Sequence, residues 1–507
     1  MNHTPEKADA PKSLSELLAG LLPADDLPQG LAVTAIATDS RLVTEGAVFV
    51  AIAGYETDGH RYIADAIGRG ACAVVCQDAA YLSRVPAGVP VFVVSDSRRA
   101  AATMAARFYD HPSRKLTIVA VTGTSGKTTT ALLIDSIFRA AGHKTGVIGT
   151  LGARIGDRNL PGDRTTPDSV ELQELLSQMV SEGVTYVSME VSSHALYLDR
   201  TWGMAFDGAV FTNLSQDHLD FHADLDEYFE AKLRLFTEYP ELSRPGKELV
   251  GATNLDDCYG QRLAERARCR VVKYGVTPEA QVRAVDLVIS PAGVGFTLVA
   301  PPARMPVALK LSGAFNIHNA LAAAACTLGL GVPIKTVVRG LEGLAAVPGR
   351  FERVNTGGEF AVVVDYAHKP DALEKVIRSV RALNPRRVIC LMGCGGDRDR
   401  DKRPKMGKIA TRDCDFTIIT SDNPRTEDPM SIIGNILAGV EEGCPYAVEP
   451  DRRAAIFAGV GMCEAGDIFL ICGKGHETYQ VFKDRTIHFD DREVAREALA
   501  AATSSGA

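Results

Sequence analysis

The residues of this chain best equipped for chemistry lie in VTGTSGKTTT, Val121 to Thr130. A β- or γ-phosphate needs main-chain N–H groups at close range, and Gly123 and Gly126 permit that approach by carrying no side chain. Lys127 adds a point charge, and the Thr128 hydroxyl can reach a magnesium ion bridging the phosphates. Thr124, Ser125 and Thr129 fill the remaining positions of the loop. The string is GxxGK[ST], a compact variant of GxxxxGK[ST], and it stands between the apolar run LTIVA and the helix-like ALLIDSIFRA. Strand, glycine turn and helix in that order favour nucleotide binding over a purely structural turn.

Further candidates stand where other apolar runs end. Glu190 closes VTYVSM; in a phosphate-loop protein a strand-end acid holds magnesium directly or through water, and that role is favoured over an ordinary cap. His218 follows the next run, in TNLSQDHLDFH, where ion ligation, orientation of a carboxylate and a structural imidazole all stay open. His222 reads as more peripheral. Lys232, within DEYFEAKLRLF, reads from the residues alone as a solvent-facing lysine. Asn316 and Asn319 open an Ala-rich helix in FNIHNA, with adenine contact and helix capping both open. Arg350 in GRFE, and Asp365 with His368 and Lys369 in VVVDYAHKP, suit a nucleotide met from a second side. Ser40 and Arg41 of TDSR sit on a loop where a sugar-nucleotide contact and a solvated turn are equally open. The loops GCGGDRDRDKRP, SDNPRTEDP and GKGHETYQ carry Arg398, Asp422, Asn423, Arg425, Gly473, Lys474, His476 and Glu477. Their guanidiniums suit carboxylates and their acids suit an ammonium, which is the equipment for an amino acid charged at both ends.

Each of these groups needs a strand end or a helix start to hold it. At 507 residues, 46% of them hydrophobic, the chain exceeds a single core. Residues 1 to about 12 are expected to be a loose tail, followed by a short amphipathic helix in SLSELLAGLL. Short β-rich runs (LAVTAIATDSR, GAVFVAIAG, GACAVVC, VPVFVVS) alternate with helical ones such as YIADAIGRG, giving a small N-terminal α/β domain over residues 1–112. A central P-loop ATPase-type domain over 113–346 is expected to hold a mostly parallel sheet built from LTIVAV, KTGVIGT, VTYVSMEVSS, DGAVFTNL, KELVGATN and CRVVKYG. A β-rich patch then precedes the helix near Asn316. Residues 347–507 repeat strand, polar turn and helix, predicting a C-terminal Rossmann-like α/β domain with ligand loops beyond its strand ends. Two domains opening on a shared cleft would let closure exclude water from a reactive intermediate.

Composition narrows the classes further. A formal net charge of -8 argues against broad nucleic-acid or membrane affinity. Eleven cysteines lack paired spacing, as in a reduced cytosolic pool, and Cys390 with Cys394 suggests neither a metal site nor a redox pair. The opening MNHTPEKADAPKS has no signal-like apolar region, and no stretch has the length and purity of a membrane span. A cytoplasmic protein without membrane insertion is expected, acting as a monomer.

Taken together, TDSR, GTSGKTTT, TTPDS, MEVSSHAL, NLSQDHLDFH, EAKLRLF, FNIHNA, GRFE, DYAHKPDAL, GCGGDRDRDKRP, DNPRTEDP and GKGHETYQ resemble, in family order and over nearly the whole chain, the Mur ligases. The resemblance implies ATP-dependent amide-bond formation with magnesium. ATP would phosphorylate the D-glutamate carboxylate of UDP-N-acetylmuramoyl-L-alanyl-D-glutamate, and the amine of meso-2,6-diaminopimelate would then displace the phosphate. By position, Thr128, Glu190 and His218 match the family's metal and phosphate elements, and Lys232 matches a lysine carbamylated in the family, reversing the solvent-facing reading. Asn316, Arg350 and Asp365 match ATP-side residues. Ser40, Thr165, Thr166, Ser192 and Arg200 match contacts to the UDP-sugar dipeptide, with Leu198 standing where relatives often carry glutamine. Arg398, Asp422, Asn423, Arg425, Gly473 and Glu477 match the amino-acid pocket. The Arg425 position separates diaminopimelate-adding relatives from lysine-adding ones. A lysine-adding or folylpolyglutamate-type ligase and a phosphate-loop kinase are the competing readings.

Overall fold

The computed structural model describes residues 11–54, 57–86, 88–218, 221–242, 248–354 and 359–505. Most of the expected N-terminal tail lies outside them; Lys12–Ser13 already pair antiparallel with Ala32–Val33. The chain divides into two compact units, one built mainly from residues up to Arg283 and the other mainly from Leu341 onward.

Within the first unit, Ala35–Ala37, Ala47–Val50, Ala73–Cys76 and Val91–Val93 form a four-stranded parallel sheet in chain order. Its strands are apolar on both sides because both faces are covered. Val48, Val50, Ala73 and Val75 pack with Met104, Ala105 and Phe108 of the helix Ser97–Phe108 and with Leu14, Leu17 and Leu18. Ala47, Phe49, Val74 and Cys76 face Ile63 and Ala66 on the other side.

The larger sheet of this unit runs Thr145–Gly149, Tyr186–Glu190, Thr117–Thr122, Gly208–Phe211, Val250–Asn254 and Arg270–Gly275, all parallel. Beyond Thr145–Gly149 an antiparallel pair, Gly152–Ile155 and Arg158–Leu160, extends the edge. The phosphate-loop strand Thr117–Thr122 is therefore central, with Glu190 paired beside Val121 and Phe211 beside Thr122. That register brings the strand ends to one edge, where ligands of open parallel sheets collect.

The second unit carries a six-stranded sheet, ordered Glu352–Val354, Ala361–Asp365, Ile468–Cys472, Val388–Met392, Phe416–Ile419 and Tyr446–Val448, parallel except for its first strand. The two-residue period of a strand divides it between two cores. Val363, Cys390, Met392 and Leu470 face one; Val362, Val364, Ile389, Leu391 and Ile471 face the other. The loops after Asp365, Met392, Ile419 and Cys472 all leave the same edge, and these are the loops holding the candidate residues.

Two fully buried arginines hold those loops. Arg452 forms a paired contact with Asp491 (2.7 Å for both Nε and Nη2) and donates to the carbonyls of Ser421 and Cys472. Arg403 bridges Glu427, Asn435 and the Gly395 carbonyl. These buried guanidiniums are tolerated because their nitrogens are engaged, Arg403 Nε excepted, and removing one partner leaves an uncompensated charge costing about 3–5 kcal/mol. All eleven cysteines are free thiols. No helix among the described residues is long and apolar enough to cross a membrane.

Candidate active site

The phosphate loop is laced to the neighbouring strand end. Thr124 N donates to Asn213 O (2.8 Å), Ser125 N to Asn213 Oδ1 (3.1 Å), and Thr212 Oγ1 to Ser125 O (2.7 Å). Gly123 and Gly126 have φ of +140° and +86°. A Cβ at Gly123 would overlap Thr212 Oγ1, and one at Gly126 would overlap Asn319 Oδ1. The two glycines thus admit the protein's own bracing side chains as well as main-chain approach to a phosphate. Asn319, read from the sequence only as an adenine contact or cap, packs beneath the loop beside Thr130.

Lys127 begins the helix Lys127–Ala140, and its Nζ returns to the carbonyls of Gly123 and Thr124, both at 2.9 Å. Lys232 Nζ donates to the same Gly123 carbonyl at 3.0 Å. The solvent-facing reading of Lys232 is overturned, for its side chain is fully buried and its ammonium lies 4.4 Å from the centre of the Tyr228 ring. Burial, reinforced by the Lys127 charge and opposed by Asp217, pulls the Lys232 ammonium well below the usual lysine value. A lysine poised toward its neutral form is a nucleophilic amine. Thr128 and Thr129 are buried in the first turn of the helix.

Around these groups stand Asp217 and His218, the latter in the left-handed region at φ +54°. The His218 ring meets His194 at 4.8 Å and Tyr228 at 6.0 Å. His222 is no peripheral group: it is 1% exposed and packed against Tyr228 and Phe221. Tyr228 itself reaches Thr124 Oγ1 at 3.3 Å, linking the lysine helix to the phosphate loop.

Glu190, at its strand end, is buried and accepts from Thr150 through N–H (2.8 Å) and Oγ1 (3.1 Å). No group of three or more His, Cys, Asp or Glu side chains converges on a metal position among the described residues. The residues matched by position to metal elements would offer one hydroxyl, Thr128, one carboxylate, Glu190, and the His218 imidazole. That sparse set fits magnesium, which takes one or two carboxylates and fills its other positions with phosphate oxygens and water.

The main-chain carbonyl of Glu190 accepts from Thr166 Oγ1 (3.0 Å), which also accepts from Ser192 N (3.1 Å). Ser192 caps the helix Ser193–Tyr197, and Arg200 donates to Thr166 O (3.2 Å) and pairs with Asp168 (3.0 Å). Thr165 joins through Thr150 (Oγ1 to Oγ1, 3.2 Å). Ser40, placed on a loop by the sequence, opens a short 3-10 turn and is buried. It lines a cavity of about 530 Å³ together with Arg200, Asp168, Arg98 and Leu198, so Ser40 and Arg200 share one space despite their separation in sequence.

The second unit gathers another set. Asp365 accepts from Phe351 N (2.7 Å) and Ala367 N (2.8 Å), while burial raises its carboxyl above the usual value against the lowering pull of Arg350. The Arg350 guanidinium lies 4.8 Å from the Tyr366 ring centre. Asn316 is buried and spends its Nδ2 on Ser312 O (2.7 Å), a local use near its helix start. Arg425, at φ +51°, donates from Nη1 to Gly396 O and from its main chain to Val481 O. Asn423 Nδ2 donates to Glu477 Oε2 (2.8 Å). Asp422 Oδ2 lies where a Cβ on Gly473 would approach to 2.6 Å. Arg398 is exposed over the same glycine turn, its Cγ 3.9 Å from the Cβ position of Gly395. Tyr228, Thr150 and Thr212 belong to these arrangements without having been singled out from sequence.

Family models match three successive parts: Mur ligase family, catalytic domain, over residues 32–109; Mur ligase middle domain over 121–327; and Mur ligase, glutamate ligase domain, over 349–475. The chain belongs to the Mur ligase family. Its three α/β domains are those of this family. It is 46% identical over 495 residues to the UDP-N-acetylmuramoyl-L-alanyl-D-glutamate–2,6-diaminopimelate ligase of Solibacter usitatus, covering 96% of this chain and 98% of that one. The ligase of the same name from Geobacillus thermodenitrificans is 44% identical, with 92% and 95% covered. A solved structure of a ligase so named superposes with TM-score 0.71 at 33% identity, covering 97% of this chain and 99% of that one. A Mycobacterium tuberculosis folylpolyglutamate synthase complexed with ADP and AMPPCP shares the fold at TM-score 0.61 and 17% identity, with 80% and 95% covered.

Proposed function

We propose that this Mur ligase adds meso-2,6-diaminopimelate to the D-glutamate carboxylate of UDP-N-acetylmuramoyl-L-alanyl-D-glutamate in peptidoglycan precursor synthesis, consuming ATP. The carrying observation is the convergence of the Lys127 and Lys232 side-chain nitrogens on the single carbonyl of Gly123, at the turn where a phosphoryl group would be held. Expelling oxide from a carboxylate is prohibitive, so activation must come first. Transfer of the γ-phosphoryl to a carboxyl oxygen gives an acyl phosphate and ADP; attack of the amine on the acyl carbon then expels phosphate.

Gly123, Thr124, Ser125, Gly126, Lys127, Thr128 and Thr129 hold the ATP phosphates, with Lys127 offsetting charge on the transferring group. Asn316, Arg350 and Asp365 serve the nucleoside side. Thr128, Glu190, His218 and Lys232 are the residues that would hold magnesium, the last as a carbamate formed on its neutral amine. Bound there, magnesium supplies charge neutralisation of the phosphoryl oxygens. Ser40, Thr165, Thr166, Ser192 and Arg200 bind the UDP-sugar dipeptide, and Leu198 offers an apolar wall where relatives often carry an amide. Arg398, Asp422, Asn423, Arg425, Gly473 and Glu477 hold diaminopimelate, the guanidiniums facing carboxylate and the acids facing ammonium. The domains are taken as 1–112, 113–346 and 347–507, in a cytoplasmic monomer.

The test is product mass spectrometry after incubation with ATP, magnesium, the UDP-linked dipeptide and an equimolar mixture of meso-diaminopimelate and L-lysine. The diaminopimelate tripeptide with equal ADP and phosphate is expected. A phosphorylated dipeptide as end product, or preferential lysine addition, would overturn the assignment.

A further inference from the structure

Lys474 is buried completely, with a side-chain exposure of 0%. A lysine ammonium is removed from water at a cost of several kcal/mol unless its donors are met. Here Nζ donates to Asn423 Oδ1 (3.2 Å) and Glu477 Oε2 (3.1 Å), and it lies 5.5 Å from the Tyr479 ring centre. Its backbone is fixed between two glycines in the left-handed region, Gly473 at φ +116° and Gly475 at φ +54°. A Cβ on Gly475 would come within 2.6 Å of Tyr366 Cβ. The lysine is thus built into the loop behind the residues assigned to the amino acid.

Its partners define what it does. Asn423 Oδ1 faces two donors, Lys474 Nζ and Val481 N (3.0 Å), which fixes the amide orientation and directs Nδ2 at Glu477 Oε2. Glu477 Oε2 thereby receives both Asn423 Nδ2 and the lysine ammonium. Oε1 is left as the oxygen of that carboxylate these two donors do not engage. We propose that Lys474 is a positioning residue for amino-acid selection: an internal cation that locks the Asn423 amide and holds Glu477 through Oε2, so that the remaining oxygen takes the substrate's ammonium. This rests on the assignment of Asn423 and Glu477 to the amino-acid pocket.

The experiment measures phosphate release in titrations of meso-diaminopimelate and, separately, ATP, for the full-length parent, Lys474→Met, Lys474→Gln, Glu477→Gln and the Lys474→Met/Glu477→Gln pair. Loss of a charge-assisted hydrogen bond predicts that KM for diaminopimelate rises roughly 10- to 100-fold in Lys474→Met, with KM for ATP within about twofold. In the Glu477→Gln background the same replacement is expected to cost less than about threefold, because the charge it serves is gone. Lys474→Gln, which keeps a donor toward Asn423, is expected to fall between parent and Met, and it serves in place of Met if the latter does not fold. Equal losses in both backgrounds or parallel shifts of the two KM values would each overturn the proposal. If Glu477→Gln itself leaves KM for diaminopimelate unchanged, the pocket assignment fails instead.

Discussion

Replacing Arg425 by alanine tests the amino-acid pocket most severely. Arg425 is held by main-chain pairing to Val481 and by Nη1 on Gly396 O at 2.8 Å, so its guanidinium is oriented before a ligand arrives. One of the five N–H donors is spent on that carbonyl, and the rest of the fork can still meet a carboxylate. A charge-assisted hydrogen bond contributes about 1.5–3 kcal/mol, so losing the pair lowers kcat/KM for diaminopimelate by roughly 10- to 150-fold. The backbone sets a second comparison. A non-glycine residue in the left-handed region costs about 1–2 kcal/mol, so Arg425→Gly relieves strain that Arg425→Ala retains, at φ +51°. Both variants should lose diaminopimelate activity alike, while Arg425→Gly melts at the higher temperature of the two. The assay is coupled phosphate release over diaminopimelate, L-lysine and ATP titrations, with thermal melts alongside. The reasoning is refuted if Arg425→Ala keeps the parent's kcat/KM for diaminopimelate, or if KM for ATP rises by as much as KM for the amino acid.

Other outcomes follow from the same geometry. Gly126→Ala places a Cβ onto Asn319 Oδ1 at φ +86°; isothermal titration should show ATP binding weakened at least about fivefold, from left-handed strain alone. Lys232→Ala is expected to lower kcat by about 100-fold, the size of loss for one group stabilising transition-state charge. Carbon-13 NMR with labelled bicarbonate should show a carbamate signal in the parent that the variant lacks. Burial holds His368 and His476 each down to about 4, from 6.5. Being depressed in the folded state, they contribute fully above about pH 6.5 and lose that contribution as pH falls toward about 4, on the order of 2 kcal/mol each. Urea denaturation at pH 7.5 and 5 should show this drop, and His368→Gln should shrink it.

What was legible in the sequence was what is local. The phosphate loop announces itself because strand, glycines and lysine are contiguous, and the second unit's ligand loops because each follows an unbroken apolar run. The burial of Lys232 carried a local signal too. Tyr228, Phe229, Leu235 and Phe236 are buried on the same helix, and helical spacing of three and four residues places Lys232 on their stripe. Lysine's ordinary preference for water hid that periodicity. The hairpin Gly152–Ile155 and Arg158–Leu160 was likewise signalled, by a two-residue Gly-Asp turn with Gly156 at φ +59°. The bracing of Gly123 by Thr212 and of Lys474 by Asn423 was not legible, because those partners come from other strands and only the sheet order brings them together.

The central claim is that a carboxylate is phosphorylated before the amine joins. With oxygen-18 in the γ-carboxylate of the D-glutamate residue of the UDP-linked dipeptide, turnover in the presence of ATP and diaminopimelate should deliver one labelled oxygen into each inorganic phosphate released. Phosphate free of label during verified tripeptide formation would contradict the account.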